Sequence, residues 1–196
     1  MTLPFIGKKA SLPPALCQRM VGHSWHADPR CPPFEALSLL TVDHWNCQGG
    51  LSQGQLVVAA PLADELLEIF AGLHALGFPI ARMELVDVFG GDDDAAMAAN
   101  NTSCFNFRNV AGTAVLSNHA FGAAIDINPL FNPMIVDGAF HPPAGVAYVD
   151  RGNVRPGMIV RPGPVVELFE RRGWEWGGDW SPTKDYHHFA KPGLRR

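Results

Sequence analysis

SNHAFGAAID, residues 117–126, sets one imidazole and one carboxylate seven positions apart around a segment with almost no bulk. On a helix that spacing is about two turns, and His119 and Asp126 would share a face. Gly122 and the alternation of Ile125 and Ile127 with Asp126 and Asn128 argue instead for a turn followed by a strand with one apolar face. His119 then sits at the turn and Asp126 on the strand. Gly122, Ala123 and Ala124 let the backbone fold tightly, so that both side chains can converge. Neutral imidazole and carboxylate are both zinc ligands. Taken alone, such a pair is more often hydrogen-bonded structure.

A second stretch, WEWGGDWSPTKDYHHFA at residues 174–190, changes the balance, because Asp185 and His188 form an acid-x-x-His pair. A catalytic zinc needs three protein ligands and an open position for water. His119, Asp126 and His188 would supply the three, and Asp185 stands close enough in sequence to act as general base. Zinc lowers the pKa of its water from 15.7 to about 7, which makes hydroxide available at neutral pH.

Composition narrows the class. The chain has 196 residues, 47% of them hydrophobic, which suits one folded domain with a real core. Its net charge is -4, and the double-basic pairs Lys8-Lys9, Arg171-Arg172 and Arg195-Arg196 are too scattered to form a stripe, so no nucleic-acid partner is expected. No apolar run approaches the roughly 20 residues of a membrane span. The first residues lack the apolar block of a signal peptide. Cys17, Cys31, Cys47 and Cys104 form no C-x-x-C pair, and their spacing leaves both a disulfide and free thiols open.

Residues 1–50, rich in Pro, Cys, His and Trp, read as an irregular arm with short helical pieces packed on the core, and QLVVAA suggests a short strand at Val57-Val58. The clearest helix is PLADELLEIFAGLHALG, where Leu62, Leu66, Ile69, Phe70, Leu73 and Leu76 form one apolar face between Pro61 and Gly77. His74, beside that face, reads as a core or edge histidine. Ile80–Phe89 reads as a strand, and Asp92–Asp94 as a helix start rather than a calcium loop. NNTSCFNFRNV reads as a turn running into a strand, and NPLFNP as two Asn-Pro turns ending the 125–128 strand. VAYVD is a weak strand, GPVVELFERRG a second helix, and Trp174–Trp176 a returning strand.

Ser117, His119, Gly122, Ala124 and Asp126 together resemble the first metal motif of the zinc D-alanyl-D-alanine carboxypeptidase superfamily. W-G-G-D-W at 176–180 followed by D-x-x-H-F at 185–189 resembles the second. The wording is most similar to the VanY-like branch, which includes bacterial and phage L-alanyl-D-glutamate endopeptidases. The resemblance covers roughly residues 55–190. It implies His119, Asp126 and His188 as zinc ligands and Asp185 as the catalytic carboxylate, where many relatives have glutamate. It also implies a catalytic arginine, for which Arg108 is the first choice and Arg82 the alternative. His187 falls on a variable position, a surface or pocket-wall residue and the one rival to His188. Ser117 either binds substrate or caps its turn. Trp176 and Trp180 either pack in the core or wall a pocket for a stem peptide. Asp179 either orients a ligand or caps a loop, and Asn101 and Ser103 hold their turn.

The implied fold is α+β: a small, mainly antiparallel sheet carrying the zinc site, flanked by helices, with an irregular N-terminal arm. The expected division is an arm at 1–54 packed on a peptidase domain at 55–196. The implied activity is zinc-dependent hydrolysis of peptidoglycan stem peptides, D-Ala-D-Ala carboxypeptidase-like or L-Ala-D-Glu endopeptidase-like, by a monomer acting in the periplasm or cell wall. Two other readings compete. One is a catalytically silent, zinc-containing peptidoglycan-binding module, against which Asp185 argues. The other is a metal-dependent nuclease, against which the negative charge argues.

Overall fold

The computed structural model describes residues 3–194, so the Arg195-Arg196 pair lies outside the described residues. Strands β1 (Gly7–Ala10), β2 (Leu37–Trp45) and β3 (Leu51–Ala59) form an antiparallel sheet in that order. β2 and β3 pair along their full length, Leu37 opposite Ala59 and Trp45 opposite Leu51. The Asn46 side chain shapes their turn by accepting from the backbone N–H groups of Gln48 and Gly50, both at 3.0 Å. The arm is irregular between short pieces such as α1 (Pro14–Met20), but its last part is a full strand that the sequence reading did not mark. Proline and cysteine upstream obscured the alternation of Leu40, Val42 and His44, which are all buried. The strand expected at Val57-Val58 extends back to Leu51, across the expected boundary at residue 54.

The predicted long helix is α2 (Ala63–Ala75), entered through a 3-10 turn at Ala60–Leu62. Leu62, Leu66, Ile69, Phe70 and Leu73 are all buried beneath the sheet. Each is worth about 1.5–3 kcal/mol on burial. Leu76 is not on that face. The helix has ended, Gly77 takes φ +64, and Leu76 is 46% exposed. His74 is buried between Trp45 and Phe5, with ring centroids 5.4 and 5.7 Å away.

Helix α3 (Asp93–Ala98) starts where the aspartates predicted, with the Asp92 carboxylate accepting from Ala95 N at 3.0 Å. Three expected strands are not regular strands. Residues 80–85 are extended with isolated bridges only, and Val86–Phe89 is a 3-10 turn closed by Gly90 at φ +68. Residues 101–108 are extended but bond in turn to several neighbours: Ser103 to Asp126, Phe105 to Val57, Asn106 to His119 and Phe107 to Ser24. Val146, Ala147 and Tyr148 of VAYVD fall in a 3-10 segment, Pro143–Tyr148, entered through a proline.

A second sheet joins β4 (Ala124–Asp126) to β9 (His188–Ala190) and β9 to β7 (Glu175–Trp176). A third joins β6 (Ala139–His141), β5 (Met134–Val136) and β8 (Lys184–Asp185). The β5–β6 hairpin was not read from sequence, although Asp137-Gly138 carries its turn at φ +50 and +78. Helix α4 (Pro164–Glu170) seats Phe169 face to face on Phe189, centroids 3.9 Å apart, with Trp174 edge-on to Phe169. One apolar cluster thus runs from Leu40 and Val42 through α2 and α4 to Ile125 and Phe189, on the strands that carry Asp126 and His188. Among the described residues no helix is long and apolar enough to cross a membrane.

Candidate metal centre

Pairing of β4 with β9 sets Asp126 directly opposite His188. Directly opposed residues of an antiparallel pair project to the same face. Asp126 is held from its other edge too, its backbone exchanging bonds of 2.9 and 3.1 Å with Ser103. His119 arrives from a 3-10 turn, Asn118–Phe121, capped by the Ser117 hydroxyl, which accepts from His119 N at 3.3 Å. The turn ends at Gly122 with φ +64. A β-carbon there would lie 2.5 Å from Ala59 N and 2.9 Å from Val58 C, so glycine is required both for the left-handed backbone and for the contact with β3. The small residues of SNHAFGAAID therefore let the histidine turn lie directly against the first sheet.

The three side chains converge. His119 Nε2 is 3.1 Å from Asp126 Oδ2, His188 Nδ1 is 2.8 Å from Asp126 Oδ1, and the two imidazole nitrogens are 3.2 Å apart. All three residues are buried, and their donor atoms lie within 4.8 Å of one another, so they could hold a metal ion. His119 Nδ1 donates to the Cys104 carbonyl at 2.5 Å, which fixes the tautomer and leaves Nε2 for the centre. Two imidazoles and one carboxylate suit zinc with an open coordination position.

Burial alone would raise the Asp126 pKa. The neighbouring His119 and His187, with hydrogen bonds from His119 and His188, hold it well below the usual carboxylate range instead. Burial likewise works against the charge on His119, but Asp126 wins and raises it. The same cluster that attracts protons here would attract a cation in their place. Cys104 is not a ligand: burial pushes its thiol up and Sγ points to the Gly122 carbonyl at 3.6 Å. Cys17, Cys31 and Cys47 are also free.

Asp185 lies on β8, buried, opposite Met134 on β5. Its Oδ1 has no hydrogen-bonding partner among the described residues, and His187 Nε2 stands 3.0 Å away as a charge contact. The same nitrogen is 3.9 Å from Asp126 Oδ2, so one imidazole links the two carboxylates. His187 is not at the surface, and it is not one of the three residues whose donor atoms converge. It is 3% exposed, and Nδ1 donates to the Asn132 carbonyl at 2.7 Å. Burial opposes its charge, but Asp185 and Asp126 push its pKa up to about 10. Gly177 is needed at the foot of this loop, since a β-carbon would meet Asp185 O at 2.6 Å and His188 Cβ at 3.3 Å.

The arginines separate. Arg108 Nη2 pairs with Asp93 Oδ2 at 2.6 Å, and the two are mostly buried, at 26% and 23% exposed. Both lie within charge range of His119. Arg82 instead pairs with Glu84 and lies over the Phe89 ring at 5.0 Å. Trp176 is packed in the core, 5% exposed, with Nε1 donating to Tyr186 O at 3.0 Å. Trp180 is 39% exposed with its ring 5.3 Å from that of His188. Asp179 is drawn away from the centre into a two-pronged pair with Arg161, at 2.6 and 3.0 Å, rather than orienting a ligand. Asn101 holds its turn by bonding both backbone groups of Glu84 at 2.9 Å.

Sequence reasoning missed His187, Asp93 and the scaffold asparagines. Asn128, at φ +48, bonds Ala81, Pro79 and Gly157 through its side chain, and Asn132 bonds Ile127, Gly157, Ile159 and Arg151. The two Asn-Pro pairs of NPLFNP were the available signal.

Residues 111–191 match the family model described as D-alanyl-D-alanine carboxypeptidase. That span includes the His119–Asp126 and Asp185–His188 motifs but not Arg108 or Asp93, and it is less than half the chain. No curated protein and no solved structure gives a significant match.

Proposed function

We propose that the chain is a zinc-dependent peptidase of the D-alanyl-D-alanine carboxypeptidase superfamily, in its VanY-like branch, that hydrolyses peptidoglycan stem peptides. The observation that carries this reading is the convergence of His119, Asp126 and His188 beside Asp185, a buried carboxylate whose Oδ1 is 3.0 Å from His187 Nε2. The likeness of residues 111–191 to a D-alanyl-D-alanine carboxypeptidase model supports the same substrate class.

When bound, zinc supplies Lewis-acid polarisation and an acidified water. Asp185 accepts the proton of the attacking water and later delivers it to the leaving amine. Being one methylene shorter than glutamate, Asp185 depends on its placement by the β5–β8 pairing and on the adjacent His187. Arg108 offers its guanidinium to the carbonyl oxygen as negative charge develops there. Trp180, exposed beside His188, forms a wall for the peptide, and Ser117 keeps the His119 turn in register.

The test is mass spectrometry of stem peptides and muropeptides incubated with zinc-loaded protein, with Asp185→Ala alongside. Cleavage by the wild type alone supports the peptidase and identifies the bond. Zinc retention without cleavage by either protein would overturn it in favour of a silent peptidoglycan-binding module.

A further inference from the structure

Arg108 is not a free cation. Nη2 is held by Asp93 Oδ2 at 2.6 Å, Nη1 donates to the Asn109 carbonyl at 3.3 Å, and Nε is buried with no partner among the described residues. Asp93 itself is firmly placed. It opens α3 immediately after the Asp92 cap, and Asn106 Nδ2 ties Gly91 O, at 3.1 Å, to the extended segment that carries Arg108. Asn106 N in turn donates to His119 O at 3.1 Å, which joins this pair to the histidine turn.

Recognition of a carboxylate by arginine is strongest when two parallel N–H groups meet its two oxygens. Here one member of that fork already holds a carboxylate. A second carboxylate would also stand beside Asp93 and within charge range of Asp126, which already disfavours charge on Asp93. A neutral carbonyl oxygen needs only one donor and meets no such repulsion.

We propose that Asp93 is a specificity-determining residue: by occupying Arg108 it admits a peptide carbonyl there and rejects a free terminal carboxylate. The preferred substrate is therefore a peptide cleaved at an internal amide, with no free carboxylate on the residue facing Arg108. This rests on the reading of Arg108 as a substrate-facing group.

Acetyl-D-Ala-D-Ala with a free carboxylate and the same peptide as its terminal amide are the two probes. Their affinities for metal-free protein are measured by calorimetry, and their kcat/KM values on zinc-loaded protein, for wild type, Asp93→Asn, Asp93→Ser and Asp93→Asn/Arg108→Ala. The wild type is expected to favour the amide. Both single variants shift the carboxylate-to-amide ratio about tenfold or more toward the carboxylate, the worth of one charge-assisted hydrogen bond. The double variant loses that gain. An unchanged ratio in both single variants, or a gain that survives loss of Arg108, overturns the assignment. If the wild type cleaves neither peptide, the D-Ala-D-Ala bond is excluded as the bond cut, while the calorimetric ratio still decides the role of Asp93.

Discussion

Replacing Gly122 by alanine tests how the histidine turn is fixed. At φ +64 a side chain costs about 1–2 kcal/mol for the left-handed backbone alone. The new β-carbon would fall 2.5 Å from Ala59 N and 2.9 Å from Val58 C, both backbone atoms of β3 that cannot swing aside. Relief of such overpacking costs about 1–3 kcal/mol. It would also stretch the Ala59 N to Gly122 O bond, now 3.0 Å and worth about 1 kcal/mol. The sum is about 3–6 kcal/mol, a large part of a typical domain's stability. Gly112→Ala is the control: φ is +72, but nothing lies within 4 Å of the added carbon, so only the backbone cost remains. Urea denaturation of both metal-free variants gives the comparison. If Gly122→Ala loses no more stability than Gly112→Ala, the contact with β3 does not position the turn and the argument from close approach is wrong.

Other expectations follow from the same geometry. Trp180→Ala should raise KM several-fold with little change in kcat or Tm, since the ring is exposed beside His188 and carries no core packing; a fall in Tm of more than a few degrees would place it in the core instead. Trp176→Ala should cost about 3–5 kcal/mol, the usual penalty for a buried aromatic, measured by denaturant midpoint. In metal-free protein the His187 pKa is raised from 6.5 to about 10, because Asp185 and Asp126 outweigh burial. Its stabilisation is complete below pH about 6.5 and is lost as pH rises through about 10. The Tm of the metal-free wild type should therefore fall across that window, and that of His187→Gln should fall less; parallel profiles would contradict the assignment. Asp126, held below 3.8, acts in the opposite sense, so its contribution disappears as pH falls below that value.

The local signals that were legible were the strong ones. The apolar face from Leu62 to Leu73, the aspartates before α3 and the Ile125–Ile127 alternation each express a period that tertiary context did not override. The convergence of His119, Asp126 and His188 was legible because two short motifs fix it through one strand pairing. Residues 80–85 and 101–108 look like strands in sequence, and their backbones are indeed extended. Their hydrogen bonds are instead spread over separate partners, which composition does not encode. The burial of His187 and the pairing of Asp93 with Arg108 were not legible for a related reason. Each owes its role to a partner far away in sequence, Asn132 for one and Arg108 for the other.

The most direct test of the central claim is metal stoichiometry after exhaustive dialysis of zinc-loaded protein, for the wild type and for His119→Ala, Asp126→Ala and His188→Ala. One zinc per chain in the wild type, and none retained by any of the three variants at unchanged fold, is the predicted result. No zinc in the wild type, or full retention by any one variant, would contradict a centre built from these three side chains.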